Sequence, residues 1–248
     1  MAKARRLLAC ALHDAARRAA LALCVLLPSL GAAQNITSAE YTDPTTRYAH
    51  GVLGDAIEHG TLTLSLSNGR GYSITLPKSD VFEDTAPRLI DLDGDGDSEV
   101  ITVQSNANLG AKLAIYDETG LIAATPNIGR SNRWLAPLGA ADLDGDGIIE
   151  LAYIDRPHLA KTLRIWRFEN GQLTHGADLQ GYTNHRIGER DIAGGIRTCN
   201  GRPEMIVATA NWSHLTAIRY DGRTFSTQTL GTDTSRPAFA RAMACTDN

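Results

Sequence analysis

Two nine-residue stretches of nearly the same sequence limit the possible folds of this chain more than any other feature. DLDGDGDSE occupies Asp91–Glu99, and DLDGDGIIE occupies Asp142–Glu150, 51 residues further along. Each is followed by a run of β-branched and apolar residues, and then by a hairpin pattern in which two such runs flank a turn. A repeat of about 50 residues that holds about four strands is typical of a β-propeller blade.

Four hairpin patterns recur at similar spacing, at residues 61–76, 111–124, 163–174 and 215–226. The apolar tail Ala238–Cys245 follows them and is interpreted as one further strand. We therefore expect an all-β fold, a small β-propeller of about four blades with four antiparallel strands each. Pairing of the C-terminal strand with the first blade would close the ring and leave no exposed sheet edge. Two alternatives are an open partial solenoid and a fragment that completes itself by dimerisation.

The first 33 residues have the composition of a bacterial secretory signal peptide. Basic residues precede the apolar run Ala19–Leu30, and Gly31-Ala32-Ala33 offers the small residues of a cleavage site. The apolar run is too short for a permanent membrane span; retention as an anchor is the alternative. Cleavage would leave residues 34–248 as one propeller domain, either periplasmic or secreted.

Export would change both the charge and the cysteine content. The net charge would move from −4 to −8, because 19 basic and 27 acidic residues would remain. An acidic domain of this kind is a poor candidate for nucleic-acid binding. Cys199 and Cys245 would remain as an even pair in an oxidising compartment, which predicts a disulfide. The alternative is two buried free thiols.

The two acidic loops have the composition of sites for a hard metal ion. Alternating aspartates can converge once the loop curls at a glycine, which tolerates the sharp turn. All-oxygen ligand sets with several negative charges select calcium, so we expect two Ca²⁺ sites; two solvated acidic turns are the alternative. The expected ligands are Asp91, Asp93, Asp95, Asp97 and Glu99 in the first site and Asp142, Asp144, Asp146, Ile148 and Glu150 in the second, with Asp97 and Ile148 acting through their backbone carbonyls.

An EF-hand does not explain these loops. Its twelfth position requires a bidentate glutamate, whereas Thr102 and Tyr153 stand there, and the flanking residues favour strands. A third segment that opens at Asp191 resembles a degenerate copy of the nonamer. It lacks the second and third acids, so we expect no calcium there.

The sequences DLDGDGDSEV and DLDGDGIIEL resemble the calcium loops of FG-GAP (VCBS-type) repeats. Such repeats occur in the propellers of integrin alpha chains and in many bacterial secreted proteins. The resemblance covers residues 87–230 and implies that each loop joins the first and second strands of a blade. It also implies that the acids named above hold calcium.

If the calcium loops lie at one face of the ring, the opposite face is the candidate surface for an unknown protein or glycan partner. Its candidate residues are Arg133, Trp134, His158, His185, Arg186 and Trp212. The alternative is ordinary blade packing, with both tryptophans in the core.

Catalysis has weak support in the sequence, because the histidines show no metal-binding spacing and no serine has the context of a nucleophile. We expect a non-enzymatic interaction module in which calcium is structural. A carbohydrate-binding or carbohydrate-cleaving protein that uses the opposite face is the alternative.

Overall fold

A computed structural model describes residues 35–246, which form one compact unit. The expected signal peptide, residues 1–33, lies outside the described residues. Within residues 35–246, no helix is long and apolar enough to cross a bilayer. The described chain is almost entirely β-structure, with seventeen strands and one short helix.

The described region begins with a β-hairpin region that continues into the first blade. It comprises β1 (Ile36–Thr45), β2 (Glu58–Leu66), β3 (Gly71–Thr75) and β4 (Asp80–Phe82). β2 pairs with β1 along one edge and with β3 and β4 along the other, and β4 then pairs with the end of β6. The leading hairpin and blade 1 therefore belong to one eight-stranded sheet.

Three four-stranded antiparallel meanders follow, which we call blades 1, 2 and 3. Blade 1 contains β5 (Arg88–Ile90), β6 (Glu99–Asn106), β7 (Gly110–Asp117) and β8 (Gly120–Ala124). Blade 2 contains β9 (Leu135–Ala141), β10 (Ile149–Asp155), β11 (Thr162–Glu169) and β12 (Gln172–Gln180). Blade 3 contains β14 (Gly195–Cys199), β15 (Arg202–Thr209), β16 (Leu215–Tyr220) and β17 (Phe225–Gly231), with the short β13 (Tyr182–Thr183) paired to β15. The predicted repeat of four strands is thus present in each.

The second strand of each blade is buried on both faces, because the sheets pack face to face. Along β10, Leu151 faces the core shared with blade 1, whereas Ala152 and Ile154 face the core shared with blade 3. Side chains of a strand alternate between faces, so each of these strands supplies two cores. This explains their nearly continuous apolar sequences, which resemble the buried strands of parallel sheets.

The tail forms a helix instead of the predicted closing strand. Helix α1 (Arg236–Met243) begins after Ser235, whose side chain caps it, and has a proline in its first turn. Its buried residues Ala238, Phe239 and Ala242 lie on one helical face against blade 3. Alanine and arginine favour helix, and serine followed by an early proline is a helix-start pattern. These local preferences outweigh the apolar character that suggested a strand.

The prediction of a fourth blade completed by the C-terminal strand is therefore wrong. Residues 35–246 contain three four-stranded blades, with the leading hairpin packed on blade 1 and α1 packed on blade 3. No strand ladder in this range joins blade 3 to the leading hairpin. The arrangement is a β-propeller-like stack of sheets whose two flanks are covered by different elements.

Candidate metal sites and the opposite face

Both acidic nonamers connect the first and second strands of a blade, as the resemblance implies. The loop 91–98 joins β5 to β6, and the loop 142–148 joins β9 to β10. Each is closed at its base by a strand pair that includes the last acid, Ile90 with Glu99 and Ala141 with Glu150. We refer to these connections, with their closing glutamates, as loop 1 and loop 2.

The first aspartate of each loop holds the backbone in a tight curl. In loop 1, Asp91 Oδ1 accepts a hydrogen bond from Gly94 N at 2.7 Å and Oδ2 accepts one from Gly96 N at 3.0 Å. In loop 2, Asp142 accepts the equivalent bonds from Gly145 and Gly147 at 2.7 and 3.0 Å. The second of these glycines has a φ of 93° in loop 1 and 91° in loop 2, a conformation that favours glycine. The two loops therefore share one backbone design.

In loop 1, carboxylates from both ends of the nonamer converge. Oxygens of Asp91, Asp93 and Glu99 lie within 4.8 Å of one another. Asp95 and Asp97 lie in the same turn outside this set, and Asp95 Oδ1 accepts a hydrogen bond from Asp97 N at 2.8 Å. The converging donors are hard oxygens, which fit Ca²⁺.

The closing glutamate of loop 1 is buried and faces other acids. Glu99 Oε2 accepts a hydrogen bond from Leu92 N at 2.7 Å. Burial, and then the neighbouring aspartates, raise the pKa of Glu99 to about 7 despite that bond. No arginine or lysine in the described part of the chain forms an ion pair with loop 1. A bound cation would remove the electrostatic cost of ionising this carboxyl.

Loop 2 contains the same acids, but a basic side chain enters it. Oxygens of Asp142, Asp144 and Asp146 lie within 4.8 Å of one another. Arg167 on β11 forms an ion pair with Asp146 and approaches Asp144 Oδ2 to 3.6 Å. Its Nη1 also donates to Glu150 Oε1 at 3.1 Å. The guanidinium therefore contacts the second, third and last acids of the loop.

Glu150 is otherwise the counterpart of Glu99. It is buried, its Oε2 accepts a hydrogen bond from Leu143 N at 2.9 Å, and burial raises its pKa to about 7. Glu150 pairs in register with Arg167 on β11. In blade 1, Val100 pairs with Tyr116, so the residue facing Glu99 is Asp117. The residue opposite the closing glutamate is therefore an arginine in blade 2 and an aspartate in blade 1, so only loop 2 has a basic side chain inside it.

Blade 3 has a different connection at the equivalent place, and the predicted third copy at Asp191 is misaligned. The residue of blade 3 that corresponds to the closing glutamates is Glu204. Like them, it lies near the start of the second strand and pairs with a residue of the first strand, here Arg197 on β14. Asp191 lies before β14 and pairs with Arg236 at 3.0 Å. Aligning this segment with the two nonamers by its first aspartate gives the wrong position, because only six residues, 198–203, lie between Arg197 and its strand partner Glu204.

The turn of blade 3 is fixed without acidic ligands. Glu204 is buried and accepts hydrogen bonds from Arg197 Nε at 3.0 Å and from Arg219 Nε at 2.7 Å. Cys199 and Cys245 form the predicted disulfide, with their Cα atoms 6.0 Å apart. The bridge joins the turn to the residues that follow α1.

The candidate partner residues do not form one exposed surface. Trp134 is buried, and its Nε1 donates to the carbonyl oxygen of Glu83 at 2.8 Å. His185 is also buried, with its ring centroid 4.9 Å from that of Trp134. Both are packing residues, so their assignment as surface anchors is wrong. Arg186 lies 3.6 Å above the ring of Trp212.

Three of the candidates, Arg133, the buried Trp134 and His158, border an open cavity, together with residues that the sequence analysis did not single out. Burial, followed by the charges of His185 and His50, lowers the pKa of His158 to about 4. Its imidazole is therefore neutral near pH 7 and can both donate and accept hydrogen bonds.

Comparison with known proteins gives a family match and a distant structural likeness. Residues 91–153 match the FG-GAP-like repeat family. A search of curated proteins finds no match. The crystal structure of the exotype rhamnogalacturonan lyase YesX is similar with a TM-score of 0.49 and 17% identity, over 77% of this chain and 40% of that chain. This chain thus spans less than half the length of that lyase chain.

The matched segment contains both nonamers and the four strands between the two loops, β6 to β9. The resemblance drawn from the acidic loops is thereby confirmed for this segment: the chain carries an FG-GAP-like repeat.

Proposed function

We propose that this protein is an exported interaction module whose two acidic loops bind Ca²⁺ and whose calcium is structural. The observation that carries the proposal is the convergence of Asp91, Asp93 and the buried Glu99, none of which forms an ion pair within the described residues. Ionised carboxylates in such a cluster repel one another, and a buried charge is costly unless it is paired. A divalent cation satisfies both requirements.

The proposed ligand sets are those expected from the sequence. Asp91, Asp93 and Glu99 would provide the converging carboxylates of the first site, with Asp95 and the carbonyl of Asp97 completing it. In the second site Asp142, Asp144 and Asp146 would bind first, and Glu150 would join with the carbonyl of Ile148 when Arg167 moves aside.

The position of the loops supports the proposed structural role for calcium. Each loop connects two adjacent strands of a blade, and the equivalent turn of blade 3 is fixed by a disulfide and two arginines. Calcium would perform the corresponding cross-linking in blades 1 and 2. At a calcium concentration ten times the dissociation constant, one site adds about 1.4 kcal/mol to the stability.

The disulfide also supports export, because such bonds persist in oxidising compartments. N-terminal sequencing of protein recovered from the periplasm or medium of a bacterial host should give a start at Gln34 or within two residues of it. A start at Met1 would contradict the proposed signal peptide.

The glycan-binding or glycan-cleaving alternative receives less support. It relied on an aromatic surface at the opposite face, but Trp134 is buried and Arg186 covers the ring of Trp212. A partner protein is therefore the ligand class that we propose.

Thermal unfolding in a chelator and in 1 mM CaCl₂ tests the calcium proposal. Calcium should raise the melting temperature of the wild-type chain, and the double variant Asp93→Asn/Asp144→Asn should lose this increase. Glu40→Gln, at an exposed acid on β1, should retain it. Equal melting temperatures of the wild type with and without calcium would overturn the proposal.

A further inference from the structure

A cavity of about 210 Å³ lies at the end of the blades opposite the acidic loops. It is bordered by the connections that enter β9, leave β10 and precede β14, and by His50 from the loop between β1 and β2. The lining residues used below are His50, Arg133, Trp134, His158, Leu159 and Ile187.

The floor of this cavity is held in place by a chain of hydrogen bonds. His185 Nε2 lies 2.9 Å from the carbonyl oxygen of Glu189, so His185 must donate there. Burial lowers the pKa of His185; the ring is therefore neutral, and its Nδ1 accepts from His158 Nε2 at 3.0 Å. The ring of His158 is in turn nearly parallel to that of Trp134, at 14°. This assignment leaves His158 Nδ1 as a free acceptor on a rigid floor.

The mouth of the cavity is unusually apolar. Leu159 and Ile187 are 62% and 72% exposed, the two highest values among the large apolar side chains of the described residues. They lie on different connections but border the same cavity. Exposed apolar groups beside a concave site mark interaction surfaces more often than isolated ones do.

The charge at the mouth has one sign. The charged side chains of the cavity lining are two arginines, with no carboxylate, although the whole chain carries a net charge of −4. Of the two lining histidines, His158 is neutral, and His50 Nδ1 lies 2.5 Å from the buried carboxyl of Glu83. Arg156 is neutralised by Asp155 at 2.8 Å. Arg133 forms no ion pair with the described residues, and its Nη1 donates to the carbonyl oxygen of Asn132 at 2.8 Å. An acidic group on a ligand would complement Arg133.

We propose that this cavity is the docking site for one large apolar side chain of a partner protein, with an adjacent acidic residue that pairs with Arg133. This inference rests on the interaction-module part of the proposed function. The volume favours a single side chain, because pockets that enclose whole drug-sized ligands measure about 300–1,000 Å³. Anchoring side chains of protein partners typically fill small, well-packed pockets of this kind.

Selection of phage-displayed random heptapeptides against the full chain in 1 mM CaCl₂ tests the site. Enriched sequences should carry a large apolar residue next to aspartate or glutamate. For a synthetic peptide of the consensus sequence, Leu159→Ser should weaken binding about tenfold, a loss typical of one apolar contact. Arg133→Gln should weaken binding about fivefold and reduce its dependence on salt. Leu121→Ser, at a half-exposed leucine of β8, serves as the matched control and should leave binding unchanged.

Three results would overturn the inference: no enriched sequence, a consensus without acidic residues, or binding that survives both substitutions at the cavity. The melting shift with calcium should be the same in all these variants as in the wild type. A failed selection with an intact calcium shift would reject the docking site alone, whereas a missing calcium shift would reject the calcium proposal independently of the peptide result.

Discussion

Loops 1 and 2 have the same backbone design and nearly the same acids, yet they satisfy their charges differently. In both, the first aspartate curls the loop and a buried glutamate closes it. In loop 2 the guanidinium of Arg167 contacts three of the acids, whereas in loop 1 the facing strand position is Asp117. Asp117 caps its own turn by accepting from Gly120 N at 3.0 Å.

The difference shows that one cross-strand position can decide how much a metal loop depends on its metal. A guanidinium in register with the closing glutamate supplies part of the positive charge that calcium would supply. Blade 3 extends the comparison, since Arg219 occupies the equivalent position and pairs with Glu204 in a turn without aspartates. We therefore expect calcium dependence to be greatest in loop 1, smaller in loop 2 and absent from blade 3.

The largest effect is expected from the covalent link in blade 3. Replacing both cysteines, Cys199→Ser with Cys245→Ser, removes a bridge between residues separated by 46 positions. The loop-entropy relation gives a loss of about 4 kcal/mol in the free energy of unfolding. Urea denaturation should show equal losses with calcium and with a chelator. A loss of stability seen only in the chelator would mean that the effect of the bridge depends on the calcium loops. That result would contradict the expectation that blade 3 is independent of calcium.

Removing the internal cation of loop 2 should have the next largest effect. Arg167→Gln leaves the buried Glu150 without its partner, and breaking a buried pair costs about 3–5 kcal/mol. Because Arg167 is 25% exposed, we expect about 2 kcal/mol in a chelator. Calcium should recover more stability in this variant than in the wild type, as measured by urea denaturation in both conditions.

Arg70→Gln, at an exposed arginine in the β2–β3 turn, is the matched control for the loss of one charge. If Arg167→Gln behaved like this control in the chelator, the guanidinium would have no role as an internal cation.

The sequence predicted those features that repeat and failed where a residue's role depends on its spatial neighbours. The paired nonamers and hairpins correctly predicted the loop positions and the four-stranded repeat, and the even number of cysteines after residue 33 correctly predicted the Cys199–Cys245 bond. Arg167 was missed because its importance comes from strand register, although counting outward from Glu150 across the predicted hairpin would have identified it. The exposure of Leu159 and Ile187 depends on how separate connections meet, which periodicity does not encode.

The tail was mispredicted for a local reason. An apolar pattern in the short segment 238–245 is compatible with both strand and helix. Ser235 and Pro237 together favoured a helix start. Without the closing strand, the assumption that the chain ends must meet in one sheet also fails.

Single substitutions should separate the two calcium loops. Asp93→Asn should remove most of the stabilisation due to the first site, about 1.4 kcal/mol at ten times the dissociation constant. This corresponds to a melting temperature about 3–6 °C lower in calcium. Asp144→Asn should lower it less, because Arg167 still pairs with Asp146 and Glu150. Scanning calorimetry in calcium measures both variants, and a larger loss for Asp144→Asn would reverse the comparison.

A separate effect concerns the pH dependence of stability in the metal-free chain. The pKa values of Glu99 and Glu150 are raised from 4.5 to about 7 by burial. The folded chain then holds protons that the unfolded chain releases, so stability should fall as pH rises from about 4.5 to about 7. Urea denaturation after removal of divalent ions checks this. Glu99→Gln should flatten the profile, and a profile that rises over this range in the wild type would contradict the assigned burial effect.

Calorimetric titration of Ca²⁺ into the metal-free wild type and its two loop variants tests the central claim most directly. The account predicts two binding events in the wild type, with the stronger lost in Asp93→Asn and the weaker lost in Asp144→Asn. Absence of binding at millimolar calcium, or loss of the stronger event in Asp144→Asn alone, would contradict it.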